Sequence, residues 1–265
     1  MREKIRVLFL AADPFRDGAQ LELEQEMRAI RRALQRGSAH DTLELESNFA
    51  TRTGDLQLAL LTYRPHIVHF SGHGGKDGVI YLSGAEGNPA AVGKAALARL
   101  FSLLDSGVRV VVLNACHTHS VVEALRDMVD FAIGTNRAIS DVAAIDFSRA
   151  FYTALASGAG VQQAFDLGVN QLELDGSYDA DVPVLLKQFG ADHRPLLATS
   201  ATSDESALKT RQHLESDKIT GTDVEMVGHD HNGAGRPAGG EVDQRVSGKE
   251  INGGAIRMIG VRTTR

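Results

Sequence analysis

Two short apolar runs, each ending in a polar loop, constrain this chain more than anything else in it. His66-Ile67-Val68-His69-Phe70 leads into Ser71-Gly72-His73-Gly74-Gly75, and Val108-Arg109-Val110-Val111-Val112-Leu113 leads into Asn114-Ala115-Cys116. Runs of this length, rich in β-branched residues and bounded by glycine or polar groups, read as buried strands of a parallel sheet. Open sheets of that kind carry their chemistry just beyond the carboxyl ends of the strands. His73 and Cys116 fall at two such ends, and Cys116 is the only cysteine in 265 residues.

A lone thiol and an imidazole at neighbouring strand ends form a candidate nucleophile and base. A free thiol titrates near pH 8.5, so a base or a cation has to raise its thiolate fraction at neutral pH. Histidine is the side chain best suited to exchange that proton. Attack on a carbonyl then builds charge on oxygen, which calls for preorganised N–H donors. Gly74, without a Cβ, lets its amide approach a substrate closely, and the N–H of Cys116 is the natural second donor. The opposing reading of Cys116 is an inert, buried small hydrophobe. The glycine-rich stretch from Gly72 to Gly78 also resembles a phosphate cradle, but it lacks the Gly-Lys-Ser/Thr ending of a P-loop and a Gly-x-Gly-x-x-Gly opening a helix.

The rest of the first 194 residues alternates strand and helix signals. Ile5–Leu10 reads as a first strand, and 20–35 as a helix with Leu23, Met27, Ile30 and Leu34 on one stripe. A strand at 42–46, a helix at 56–61, a hairpin at 76–83 and a helix at 94–104 surround the two runs. Beyond them come a helix at 121–126, a strand at 131–133, helices at 142–156 and 160–174, and a last strand at 182–186. Such alternation predicts an α/β domain, a mostly parallel sheet with helices on both faces.

Gly72-His73-Gly74 after one strand and Asn114-Ala115-Cys116 after a later one resemble the caspase-like CHAT domain, a cysteine-protease branch related to caspases and separases. The two residues stand 43 positions apart (116 − 73), near the roughly 50 of caspases. The resemblance extends over roughly residues 5–188 and includes Tyr63 to Phe70, Phe131 to Gly134, Ile139 to Asp141 and Ala144 to Ser148. It implies a caspase-like fold, a Cys116–His73 dyad, an oxyanion hole from Gly74 and Cys116, and no cofactor. In related proteases the loop after the first strand and the residue two before the cysteine line the pocket for the residue preceding the cleaved bond. Here those positions are Asp13 and Asn114, with Asp141 a further acid from a neighbouring loop. An acidic pocket favours Lys or Arg by charge-assisted pairing. Against this, Asp13 can cap the helix after Pro14, Asp141 can cap the helix beginning near Val142, and Asn114 is neutral where several basic-specific relatives carry an acid.

The other histidines have simpler readings. His117 and His119 read as a solvated loop beside the cysteine, and His66 and His69 as packing on the strand. His229 and His231 fall short of the three or four ligands a metal needs, so no metal site is expected.

Composition bounds the partners. A net charge of −6 with no basic run interleaved with aromatics argues against nucleic acid. One cysteine fits a reducing compartment, the start carries no signal-peptide core, and no run approaches a membrane span. A cytosolic protein with no membrane partner is expected.

After Arg194 the character changes. Residues 195–219 read as a linker with a short helix at 207–214, and 220–265 as a glycine-rich tail. Val224-Glu225-Met226-Val227-Gly228 returns 32 positions later (256 − 224) as Ile256-Arg257-Met258-Ile259-Gly260, and stacking would pair Glu225 with Arg257. Val224, Met226, Val227, Ile256, Met258 and Ile259 are the candidate interaction residues. The pattern resembles amyloid-type homotypic signalling motifs; the alternative is a disordered tail with two sticky segments.

These expectations combine into a caspase-like cysteine endopeptidase that cleaves a protein substrate in a signalling or immune module of prokaryotic type. Recruitment through the tail to a partner, itself of the same tail type, would activate it. The competing class is a catalytically silent adaptor using the same fold and tail.

Overall fold

The computed structural model describes residues 4–15, 21–38, 40–104, 107–188, 190–191 and 196, and strands at 210–220, 224–227, 230–232, 242–252, 256–259 and 262–264. The chain divides into two units, Met1–Thr199 and Ser200–Arg265.

In the first unit, β1 (Ile5–Ala12), β2 (Leu43–Asn48), β3 (Ile67–Gly75), β6 (Val110–Asn114), β7 (Phe131–Thr135) and β8 (Pro183–Lys187) lie in the order β2-β1-β3-β6-β7-β8. All neighbours run parallel except β8, which is antiparallel to β7. β4 (Val79–Ser83) turns back antiparallel on the end of β3, and β5 (Pro89–Gly93) pairs with β4. The hairpin expected at 76–83 is thus a three-stranded flap that includes the last residues of β3.

The period of two along the central strands separates two cores. Val7, Phe9 and Ala11 of β1 face one side with α1 (Leu23–Arg36), α5 (Asp141–Ala156) and α6 (Val161–Leu174). Leu8, Leu10 and Ala12 face the other with α2 (Thr53–Tyr63), α3 (Lys94–Leu103) and α4 (His119–Leu125). Met27, Ile30 and Leu34 of α1 are buried on that first side, each contributing about 1.5–3 kcal/mol. Helices on both faces of a mostly parallel sheet are the α/β architecture expected from the alternation.

The same alternation carries into the strand ends. On β3, Ile67 lies in the first core, so His69, Ser71 and His73 follow it on that face. On β6, Val110 and Val112 do the same and Asn114 follows. Ser71 is directly opposite Asn114 in the register.

In the second unit the last residues of the expected linker, from 210, form a strand: β9 (Thr210–Thr220) pairs parallel with β12 (Val242–Asn252). β10 (Val224–Val227) pairs with β13 (Ile256–Ile259), and β11 (Asp230–Asn232) with β14 (Arg262–Thr264), again parallel. Over its described part, 210–214, the expected helix is replaced by strand, because pairing with a segment of the same length decides its form. Residues 207–209 and His229 lie outside the described residues. No helix among the described residues is long and apolar enough to cross a membrane.

Candidate active site

The end of β3 and the loop after β6 converge. A Cβ placed on Gly74 would sit 2.0 Å from the carbonyl oxygen of Cys116, so only glycine permits this approach. His73 and Cys116 line one pocket together with Ser71, Gly72, Asn114 and Ala115. Cys116 is a free, half-buried thiol.

His73 is held on both sides. Its Nε2 lies 2.9 Å from Oδ1 of Asp13, and Oδ2 of Asp13 accepts the backbone N–H of Leu21 at 3.1 Å. An ionised carboxylate on Nε2–H fixes the tautomer and leaves Nδ1 as the ring nitrogen free to take a proton. Phe15 packs edge-on against the imidazole with centroids 4.8 Å apart, and Tyr81 packs edge-on against Phe15. Asp13 is therefore the partner of His73 and is not among the residues lining the pocket.

The cysteine loop is braced from behind. Thr118 Oγ1 donates to the carbonyls of Leu113 and Ala115 and accepts the N–H of Thr135 at 3.0 Å, while Thr135 Oγ1 donates to Ala115 O at 2.5 Å. His117, next to the nucleophile, has φ +56, a left-handed conformation uncommon for a residue with a side chain. Its N–H donates to Arg137 O at 3.3 Å.

The pocket floor is Glu26, a residue the sequence reading left out. Its side chain comes from the middle of α1 and is buried, at 3% exposure. Oε1 accepts hydrogen bonds from His69 Nε2 (2.9 Å), Asn114 Nδ2 (2.5 Å) and Ser148 Oγ (2.7 Å), and Oε2 accepts one from Ser71 Oγ. Nδ1 of His69 meets the Tyr152 hydroxyl at 3.1 Å. Burial pushes the Glu26 carboxyl up, but His69 and the hydrogen bonds from His69, Ser71 and Ser148 outweigh it and hold it below its ordinary value. Burial, with the charge of Glu26 added, raises the Tyr152 phenol well above its ordinary range. The spacing held the clue: Glu26 falls three residues after Leu23 and four before Ile30, on the apolar stripe.

Asn114 faces the pocket, with its amide given to Glu26, to Ala144 O at 3.1 Å and to Ser148 Oγ at 3.2 Å. Asp141 and Glu22 line the pocket with Leu23, Ile139 and Ile145. Ser140, rather than Asp141, is the N-cap of α5, its hydroxyl accepting from Ala143 N at 3.4 Å. Burial and the charges of Glu22 and Glu26 push the Asp141 carboxyl up, against a backbone hydrogen bond from Glu22 and the nearby His73. The pocket thus combines apolar walls with three carboxylates.

Among the described residues no group of His, Cys, Asp or Glu is arranged to hold a metal. The tail positions Val224, Met226, Val227, Ile256, Met258 and Ile259 lie on β10 and β13 of the other unit.

Comparison with known proteins gives a family and a fold. The family described as CHAT domain matches residues 10–174. A protein described as a probable protease from Gillisia limnaea is 23% identical over 199 residues, covering 72% of this chain and 34% of its own length. The chain therefore spans about a third of that relative. A secreted C11 cysteine protease from Bacteroides thetaiotaomicron, solved in complex with an irreversible peptide inhibitor, superposes with a TM-score of 0.51 at 11% identity, covering 69% of this chain and 66% of that one. It shares the fold.

Proposed function

Since the chain belongs to the CHAT domain family, we propose that it is a cysteine endopeptidase that cuts protein substrates after Lys or Arg. The observation that carries this reading is a single pocket lined by His73, Cys116 and Glu26, with His73 held by Asp13. The probable protease from Gillisia limnaea supports the same class of chemistry.

In the mechanism, Nδ1 of His73 takes the thiol proton and the Cys116 sulfur attacks the scissile carbonyl. Asp13 stabilises the imidazolium and keeps the ring in register. The N–H groups of Gly74 and Cys116 receive the oxyanion. His73 returns its proton to the leaving amine, and water, deprotonated in turn by His73, hydrolyses the thioester. A Lys or Arg side chain before the scissile bond enters between Leu23 and Ile139 toward Glu26. Among the described residues Oε2 of Glu26 has one donor, Ser71, which leaves a lone pair for the substrate cation. Asp141 and Glu22 add negative potential at the rim.

The protease acts, in this reading, as the effector of a signalling or immune module of the cell interior, brought to its substrate by the tail. The rival reading, a silent adaptor, predicts no turnover at all. Cleavage of a peptide library by the full chain, beside Cys116→Ala, separates the two. Products ending in Lys or Arg that vanish in the variant support the proposal. Silence of the full chain with and without forced clustering of the tail overturns it.

A further inference from the structure

The two oxygens of the carboxylate at the pocket floor are used unequally. Oε1 of Glu26 accepts from three donors, His69 Nε2, Asn114 Nδ2 and Ser148 Oγ. Oε2 accepts from one among the described residues, Ser71 Oγ. A carboxylate oxygen offers about two lone-pair sites, so Oε1 is full and Oε2 has one site left. Glu26 therefore meets a cation with a single oxygen.

Two further acceptors border the same cavity. Asn114 lines it, and its Nδ2 is committed to Glu26 Oε1, Ala144 O and Ser148 Oγ. The carboxylate and the backbone carbonyl only accept, which fixes the orientation of the amide and leaves Oδ1 without a donor among the described residues. That oxygen is not sealed off. Among those residues the unpaired side-chain atom shut away from solvent is Nδ1 of His119, so Asn114 Oδ1 opens on the cavity. Ser71 lines the cavity too, and with its proton given to Glu26 its Oγ keeps lone pairs to offer. Glu26, Ser71 and Asn114 are all buried, so a group that they hold is held out of water.

Three separate acceptors suit one kind of cation. An ammonium is a compact point charge with three rotatable donors on a slim four-carbon stem. A guanidinium is a rigid fork of five donors, and its strong mode is two parallel bonds to both oxygens of one carboxylate. Glu26 cannot receive that fork, because Oε1 is already filled. Here a guanidinium makes one bond to Oε2 and buries other N–H groups without partners. Space favours the same choice. The cavity measures about 50 Å³, roughly three to five times what a single water needs, and a stem with its ammonium fills it more closely than a guanidinium plane. Asp141 and Glu22 attract either cation and discriminate little between them.

We infer that this pocket prefers Lys to Arg before the scissile bond, with the ammonium held by Oε2 of Glu26, Oδ1 of Asn114 and Oγ of Ser71. The inference rests on the reading of the pocket as the site of a basic side chain and narrows that reading to one residue. It gives Ser71 and Asn114 a part in specificity beyond their hold on Glu26.

The test uses the full chain and matched fluorogenic peptides that differ only before the cut, with Lys, Arg or norleucine there. Norleucine keeps the straight stem and lacks the charge. In kcat/KM, Lys should exceed Arg by about tenfold or more, the scale of one donor left unpaired in a buried site, and Arg should exceed norleucine. Equal rates for Lys and Arg, both above norleucine, overturn the inference and leave the basic pocket standing. Norleucine cut as fast as Lys, or no cleavage of any peptide, overturns both.

Ser71→Ala carries the test to the residue. It removes one partner of the ammonium, frees a second site on Oε2 and widens the cavity, and all three changes favour Arg. The Lys-to-Arg ratio of kcat/KM should fall by about threefold or more. Both rates come from one preparation, so the ratio is independent of the fraction of chain that folds. A ratio that keeps its natural value overturns the placement of the ammonium on these three atoms.

Discussion

Nδ2 of Asn114, at the end of β6, donates a 2.5 Å hydrogen bond to Oε1 of Glu26 in the middle of α1. The same carboxylate accepts from Ser71, two residues before His73, while Asn114 stands two residues before Cys116. One buried charge therefore ties both catalytic strand ends to the floor of the pocket. It also explains how a neutral residue at position 114 is compatible with selection of a basic side chain: the amide holds the acid in place instead of supplying it. Glu26→Gln should lower kcat/KM for substrates with Lys or Arg before the cut by about ten- to a hundredfold, the size of one charge-assisted hydrogen bond of about 1.5–3 kcal/mol. Peptides with an uncharged residue there should lose less. Equal losses on both substrate classes would leave Glu26 with a structural role only.

Asp13 bonded to Nε2 of His73 makes a specific kinetic claim. Asp13→Asn keeps the shape of the side chain but allows the imidazole to present the wrong nitrogen to the thiol. A drop in kcat on the order of 10²- to 10⁴-fold is expected, with KM for basic substrates little changed, because Asp13 lies outside the pocket. Steady-state kinetics on one Arg peptide decide it; a raised KM at constant kcat would return Asp13 to substrate binding.

Gly74 carries a steric prediction. Any side chain there meets the backbone carbonyl of Cys116, which cannot move without dragging the nucleophile. Gly74→Ala should cost about 1–3 kcal/mol of stability by overpacking and remove peptidase activity. Gly93→Ala, where an added Cβ meets nothing within 4 Å, should change neither. Thermal melts and cleavage rates of the two variants give the comparison.

Much of the fold was legible because its signals are local. Buried strands such as Val110–Asn114 are nearly continuous apolar runs, and the α1 stripe has a clean helical period. β5 escaped notice because Pro89-Ala90-Ala91-Val92-Gly93 has little strand character of its own and depends on β4 for its form. The pocket was legible only in part. His73 and Cys116 announce themselves by position, but the partners of Glu26 are 43 to 122 residues away along the chain, and nothing local connects them. A glutamate on an apolar helical stripe was the available sign. In the second unit the match of Val224–Val227 with Ile256–Ile259 was visible as a repeat, whereas the pairing of Thr210–Thr220 with Val242–Asn252 was not, because few of the paired positions share a residue type.

Two carboxyl groups of the pocket predict opposite contributions to acid stability. The Glu26 carboxyl titrates below its ordinary value in the folded chain, so over that window the unfolded chain binds the extra proton. Its stabilisation is complete above the ordinary value and is lost as the pH falls through the lowered one. Asp141 is raised, so the folded chain holds the extra proton, and stability declines as the pH rises from the ordinary aspartate value through the raised one. Urea unfolding across the carboxylate range should therefore show a flatter rise of stability with pH for Glu26→Gln than for the natural chain, and a steeper rise for Asp141→Asn. The same raised group should appear in binding. A cationic side chain favours the ionised form of Asp141, so KM for Arg peptides should fall as the pH rises through its titration, and Asp141→Asn should remove that fall. A pH-independent KM in the natural chain would mean that Asp141 does not meet the substrate cation.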